Sequence, residues 1–110
     1  MSERAWKFYI TDMIKFAETI MSYTHDMEQE PFVNSGITYD ATLRNLELIG
    51  EAATHIPQEI REQYPNVPWR MIIATRNQLI HGYLGIDNDI LWSIIEKNIP
   101  ALLTQLQEIN

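Results

Sequence analysis

Apolar residues recur every three or four positions along most of the chain, which is the spacing of one face of an α-helix. The first such stretch runs from Glu3 to Tyr23. A second begins at Tyr39 or Asp40 and ends at His55, before Pro57, and its Gly50 would allow a neighbouring helix to approach closely. No strand-like alternation of any length occurs, so the pattern predicts an all-α chain.

Turn and breaker residues separate the predicted helices. The segment Thr24–Thr38 holds proline, asparagine, serine and glycine among acidic side chains, and we predict a solvated loop there. His25 stands near carboxylates in this segment, but no second histidine is close, so a loop is a better interpretation than a metal site. Pro57–Tyr64 begins with proline and continues with helix-forming residues, which predicts one short helix.

The second half of the chain predicts two more main helices. The first starts at Pro68, with Asn66 as its candidate N-terminal cap, and ends at Gly82. The last runs from Asp89 to Glu108, and Pro100 should kink or split it near residues 96–98. Because short connections favour antiparallel neighbours, we predict one domain over residues 1–110, an antiparallel up-and-down bundle of four main helices plus one short helix.

Composition limits the setting of the protein. The 110 residues are 45% hydrophobic, which suits one globular domain, and the absence of cysteine excludes disulfides and thiolate metal sites. No apolar run approaches the ~18 residues of a membrane span, and we expect a cytoplasmic protein. The net charge of −7 argues against broad electrostatic binding of nucleic acid. All four basic residues within residues 40–86 are nevertheless arginines, which suit bidentate contact with phosphate.

The helix that starts at Pro68 carries the candidate chemistry. Its apolar stripe is formed by Trp69, Ile72, Ile73, Leu79, Ile80 and Tyr83. Arg76 interrupts the stripe, and a guanidinium there is costly unless it is paired or reaches an anion. Asn77 and His81 are four residues apart and share an adjacent face, while Tyr83 lies two turns beyond Arg76.

Two interpretations of Arg76 are open on the residues alone. Arg76 could simply pair with Glu51 in a plain helical dimerisation domain. Alternatively, Arg76 could stabilise charge on a phosphoryl group while His81 transfers protons. That second set of groups suits cleavage of RNA through its own 2′-hydroxyl, a reaction that needs no metal and no cofactor.

The catalytic interpretation requires more than one chain. A single His81 can hardly act as both base and acid, so a symmetric dimer would bring two copies of it together. His25 and His55 are weaker alternatives. Further residues expected to support Arg76 or contact the substrate are Glu51, Arg44 and Arg70.

Three blocks of sequence, taken in order, resemble the HepT-like branch of the HEPN superfamily. They are Tyr39–Ala52, Val67–Arg70 and His81–Tyr83. In addition, Arg76–His81 is similar to that superfamily's motif of arginine, four to six residues, then histidine, including a polar residue directly after the arginine. The resemblance covers about residues 5–108.

The resemblance implies a bundle that dimerises through the motif-bearing face and acts as a metal-independent ribonuclease toxin of a type VII-like toxin–antitoxin pair. Carried over by position, Arg76 and His81 are catalytic and Asn77 assists them. The implied partners are RNA and a nucleotidyltransferase antitoxin, MntA, which would adenylylate Tyr83 and block Arg76 with a bulky anion. The alternative within the superfamily is a non-catalytic subunit that binds a nucleotide or partner in a nucleotidyltransferase complex.

Overall fold

A computed structural model describes residues 3–82 and 85–109, with the backbone alone for residues 3 and 4. These residues form α-helices and contain no strand, which confirms the predicted all-α class. None of the described helices is long and apolar enough to cross a membrane. The elements in chain order are α1 (Glu3–Thr24), α2 (Gln29–Val33), α3 (Ile37–Thr54), α4 (Gln58–Gln63), α5 (Trp69–Ile80), α6 (Asn88–Ser93), a π-helical segment (Ile94–Asn98) and α7 (Ile99–Gln107).

Four long rods make the bundle: α1, α3, α5, and the continuous rod of α6, the π-helical segment and α7. Helix α3 packs against both α1 and α5, while α7 packs against α1. Their apolar faces meet in one core, whose fully buried members include Met13, Ile20, Leu43, Ile49 and Leu106. The predicted four-helix bundle is therefore confirmed, with α4 as the predicted short helix and α2 as an additional one.

Arg61 of α4 sets the direction in which α5 leaves α3. Its guanidinium donates from Nε to the carbonyl oxygen of Ile56 at 3.0 Å and from Nη2 to that of Ala53 at 3.1 Å. The last carbonyls of a helix lack partners within the helix, and a cation there is favourable. Helix α4 is thus fixed at the end of α3, so that α5 starts beside that end and runs back antiparallel along α3.

The segment predicted as a loop between the first two main helices contains helix α2. Phe32 in α2 is fully buried, and its ring lies 5.3 Å from the ring centroids of both Tyr39 and Trp92. Helix α3 also begins earlier than predicted, at Ile37. The loop prediction was wrong because Pro31 is compatible with a first helical turn and the burial of Phe32 is a tertiary contact that breaker residues do not reveal.

The start of the last rod and its π-helical segment lie where its polar residues and proline require. The Asp87 carboxylate accepts hydrogen bonds from the backbone N–H groups of Asp89 and Ile90 at 2.9 and 3.3 Å, so the helix begins at Asn88. The predicted disturbance before Pro100 is confirmed by the π-helical segment, because proline has no N–H to donate and its ring clashes with the carbonyl four residues earlier.

Candidate active site

Helix α5 begins through a tight turn without a side-chain cap. Pro68 occupies the cap position, and the backbone N–H of Trp69 donates to the carbonyl oxygen of Val67 at 2.8 Å. The prediction of Asn66 as the cap was therefore wrong, because this turn already satisfies the donor at the start of the helix. The indole Nε1 of Trp69 also donates to the Tyr64 carbonyl at 3.1 Å, which holds the start of α5 in place.

The buried face of α5 is narrower than the predicted stripe. Trp69, Ile72 and Leu79 are buried, and Ile73 is half-buried. Ile80 is 47% exposed, since it lies on the solvent side of the last turn. An apolar side chain is therefore presented to solvent directly beside His81.

Helices α3 and α5 approach closely at Gly50. A Cβ atom added there would lie 2.1 Å from Cβ of Arg76 and 3.0 Å from the carbonyl oxygen of Ile72. Real Cβ atoms do not approach other heavy atoms so closely, so any side chain at this position would push α5 away. The expected role of Gly50 in allowing close approach is confirmed, and the residue it brings against α3 is Arg76.

The Arg76 guanidinium is held on two sides. Its Nη2 donates to Oε2 of Glu51 at 2.6 Å, and its Nη1 donates to Oδ1 of Asn77 at 2.9 Å. The side chain is only 25% exposed, and its Nε is buried without a hydrogen-bond partner among the described residues. Because a guanidinium has five N–H donors, the plane is fixed while donors remain for an anion.

His81 lies just beyond the last turn of α5 and is exposed. Gly82 follows with a φ of +141°, a backbone conformation that favours glycine, and its N–H donates to the carbonyl oxygen of Leu79 at 3.3 Å. His81 follows Arg76 by five positions, or about 7.5 Å along a helix axis. Within residues 3–82 and 85–109, no side chain bonds to the His81 ring. Tyr83, the predicted modification site, lies outside the described residues.

The other two predicted arginines stand apart from Arg76. Arg44 is exposed and forms an ion pair with Glu47, one turn away on α3. Arg70 is exposed in the first turn of α5, about 9 Å along the helix from Arg76. Contact of Arg44 or Arg70 with a substrate stays a prediction.

His55 lies close to Arg76, although sequence reasoning treated it as a weaker alternative away from the site. Its Nε2 is 3.6 Å from Oε1 of Glu51, the same carboxylate that binds Arg76 through its other oxygen. The imidazole also stacks on the ring of Tyr9, with centroids 4.6 Å apart and an angle of 9° between the planes. The four-residue spacing of Glu51 and His55 on one helix was the signal that could have indicated this contact.

The remaining histidine is remote from these residues. His25 is exposed just after α1, and its Nε2 lies 2.9 Å from Oδ2 of Asp26. In the part of the chain that the structure describes, no three histidine, aspartate or glutamate side chains are grouped so as to hold a metal ion. The described site therefore consists of a fixed guanidinium, its carboxylate and amide partners, and imidazoles on both sides of it along the helices.

Comparison with known proteins identifies the family. Residues 13–109 match the family model described as "Ribonuclease HepT-like". The chain belongs to the HepT-like family. This confirms the resemblance seen in the three sequence blocks, and the HepT-like match covers α3 and α5, the two helices that hold Arg76.

Relatives of similar length carry ribonuclease names. "Putative RNase MJ1380" of Methanocaldococcus jannaschii is 36% identical over 107 residues, covering 97% of this chain and 98% of that protein. "Probable ribonuclease HepT" of Thermococcus cleftensis is 34% identical over 107 residues, covering 97% of each. "Putative RNase TTE0752" of Caldanaerobacter subterraneus subsp. tengcongensis is 37% identical over 101 residues, covering 92% of this chain and 90% of that protein. No solved structure matches the chain significantly.

Proposed function

We propose that this chain is an endoribonuclease toxin that cleaves RNA without a metal ion, through attack by the substrate's own 2′-hydroxyl. The observation that carries the proposal is the Arg76 guanidinium, which Glu51 and Asn77 hold in place while the second N–H of each terminal nitrogen remains for a phosphate. Membership of the HepT-like family and the ribonuclease names of its relatives support the same activity.

The proposed reaction divides between two kinds of group. A base removes the proton of the 2′-hydroxyl, the 2′-oxygen attacks phosphorus, and the bond to the 5′-oxygen breaks as an acid protonates that leaving oxygen. The products are a 2′,3′-cyclic phosphate and a 5′-hydroxyl. Arg76 would stabilise the charge on the five-coordinate phosphorus, with Asn77 assisting, and His81 would transfer the protons.

A second copy of the chain would complete this site. One imidazole cannot serve as base and acid in the same step, and a two-fold dimer would bring two copies of His81 together. Ile80 supports such an interface, because an apolar side chain that is 47% exposed beside His81 gains from burial against a partner. We propose a homodimer that joins through this end of α5.

The proposed control of the toxin acts on Tyr83. A cognate nucleotidyltransferase of the MntA type would transfer AMP to the Tyr83 hydroxyl, two residues after His81. The added phosphate is an anion and the added nucleoside is bulky, so the modification would oppose RNA binding by charge and by sterics together.

Cleavage of RNA in EDTA tests the proposed activity. The purified chain should cut RNA and leave 2′,3′-cyclic phosphate ends, and His81→Ala should abolish the cutting. His25→Ala is the matched control, since His25 is another exposed histidine that plays no part in the proposal. Cleavage that survives His81→Ala, or that requires a divalent metal, would sink the assignment.

Co-expression tests the proposed partner and its target. The chain produced with a small nucleotidyltransferase from a neighbouring gene should gain the mass of AMP, and Tyr83→Phe should prevent the gain. Cells carrying both proteins should grow with native Tyr83 and arrest with Tyr83→Phe. An AMP group mapped to any other residue would contradict the proposed switch.

The same contacts of Arg76 also fit a second candidate function, a non-catalytic subunit that binds a nucleotide phosphate. Such a subunit needs the guanidinium that Glu51 and Asn77 hold in place, and it needs no group for proton transfer. Expression of such a subunit would be harmless to cells, with or without Arg76→Ala. Growth arrest that disappears with Arg76→Ala favours the toxin instead.

A further inference from the structure

We propose that the stacked rings of Tyr9 and His55 form a platform for one nucleobase of a bound RNA strand, beside the phosphate site at Arg76. This proposal rests on the proposed function, because it takes RNA as the ligand. It adds a binding subsite on α1 and α3, on the side of Arg76 away from His81.

The imidazole of His55 is stacked on one side and partly exposed to solvent. Tyr9 covers one face, with ring centroids 4.6 Å apart and planes within 9° of parallel. The Nε2 edge faces Glu51 at 3.6 Å. The side chain of His55 is nevertheless 43% exposed, and Tyr9 stacks on only one of the two faces of its ring. A base placed on the other face would continue a stack that α1 and α3 already hold in position.

Glu51 sets the separation between this platform and Arg76. One carboxylate oxygen bonds to the Arg76 guanidinium at 2.6 Å, and the other faces the imidazole of His55 at 3.6 Å. A single carboxylate group therefore lies between the flat ring and the cation, a separation on the scale of the base and phosphate of one nucleotide. Because Arg76 offsets the charge of Glu51, the carboxylate does not present a bare anion to the strand.

The direction of the two helices orders the site along a strand. Helix α5 runs antiparallel to α3, so His55, four residues after Glu51, lies about 6 Å towards the start of α5. His81 lies about 7.5 Å from Arg76 in the opposite direction. A strand would thus place one base on His55 and a phosphate at Arg76. The oxygen atoms of the strand that lose or gain a proton would lie nearer His81.

A ring of this kind contributes affinity with little sequence preference. Every nucleobase has an aromatic face, and stacking on a protein ring typically changes affinity by about tenfold or more per base. The platform therefore predicts tighter binding of single strands with a base at this position, whatever that base is.

Equilibrium binding of a short 2′-O-methyl oligonucleotide tests the platform without cleavage, because the blocked hydroxyl cannot attack phosphorus. We expect His55→Ala to raise Kd about tenfold, and His55→Phe to leave it within about twofold, since phenylalanine keeps the flat ring. His25→Ala is the matched control and should have no effect. An equal loss with Phe and Ala would overturn the stacking role, and thermal unfolding of each variant confirms that it is folded.

An abasic scan locates the base that uses the platform. Oligonucleotides that lack one base at a time should show a single position at which wild type and His55→Ala bind equally, because the stacking partner is then missing from both complexes. A scan in which His55→Ala weakens every oligonucleotide equally would contradict the proposal.

The outcomes separate this proposal from the proposed function. A chain that binds the oligonucleotide with the expected scan but never cuts RNA keeps the platform and loses the ribonuclease. A chain that cuts RNA in EDTA but shows no position-specific effect of His55→Ala keeps the ribonuclease and loses the platform.

Discussion

The two residues that define the motif have opposite surroundings. Arg76 lies where α3 and α5 meet, 25% exposed, with its guanidinium bonded to Glu51 and Asn77. His81 lies beyond the end of α5, exposed, and followed by Gly82 with a positive φ. One group is fixed by the packing of two helices, and the other is held only by the backbone at a helix end.

This difference teaches which part of the site belongs to the fold of one chain. The packing of α3 against α5 positions the cation before any ligand arrives, as a preorganised electrostatic site requires. In the proposed dimer, the exposed imidazole would gain its surroundings from the partner subunit. Changes near Arg76 should therefore alter folding and activity together, whereas a change at His81 should alter activity alone.

The largest separation between folding and activity is expected for His81→Ala. Loss of the proton-transfer group should lower the rate of RNA cleavage by about 10²- to 10⁴-fold. The free energy of unfolding should change by less than about 0.5 kcal/mol, because the side chain is exposed and takes no part in the core. Initial rates in EDTA and denaturant unfolding measure the two effects. A large loss of stability would show that the His81 side chain contributes to folding, which would contradict its contrast with Arg76.

A smaller effect, on both properties, is expected for Gly50→Ala. The new Cβ would lie 2.1 Å from Cβ of Arg76, so α5 must move and the guanidinium with it. We expect a loss of about 1–3 kcal/mol in the free energy of unfolding, as for overpacked cores, together with lower activity.

Gly85→Ala is the matched control for that overlap, since a Cβ there meets nothing within 4 Å. Alanine is otherwise the better helix former by about 1 kcal/mol. Without the overlap, Gly50→Ala would therefore raise the free energy of unfolding, so a decrease reports the overlap. A Gly50→Ala variant that is more stable than the wild type would show that α3 and α5 do not approach as closely as described.

The smallest effect is expected for Glu51→Gln, which keeps the shape of the side chain and removes its charge. Arg76 would lose its counter-charge and be less firmly oriented, and we expect about a tenfold loss of cleavage rate, on the scale of one charged hydrogen bond. The stability should change by less than about 1 kcal/mol, because the ion pair is partly exposed. Glu47→Gln, which breaks the ion pair with Arg44, is the control and should leave the rate unchanged.

The regular parts of the fold could be predicted because each main helix carries its own apolar face. The end of α1, the short helix α4 and the disturbance before Pro100 all follow from local residues. Helix α2 could not be predicted in this way, because its five residues are too few to show a period. It is held by Phe32, which packs on residues distant in sequence.

The site was predictable to the extent that spacing along one helix determines it. Arg76 and His81 fall on α5 and at its end, and the pairing of Arg76 with Glu51 was one of two open interpretations. The contact of His55 with Glu51 follows from their four-residue spacing and could have been predicted. The stacking of His55 on Tyr9 depends on which way α1 faces α3, and that orientation is a property of packing. The roles of these residues in catalysis stay predictions.

Mixed dimers test the central claim, a ribonuclease site completed by a second subunit. Wild-type and His81→Ala protomers are mixed in varying proportion, allowed to exchange, and assayed for RNA cleavage in EDTA. If each site needs both copies of His81, activity follows the square of the wild-type fraction and falls to about a quarter in an equal mixture. Activity that stays proportional to the wild-type fraction, at about half in that mixture, would contradict the account.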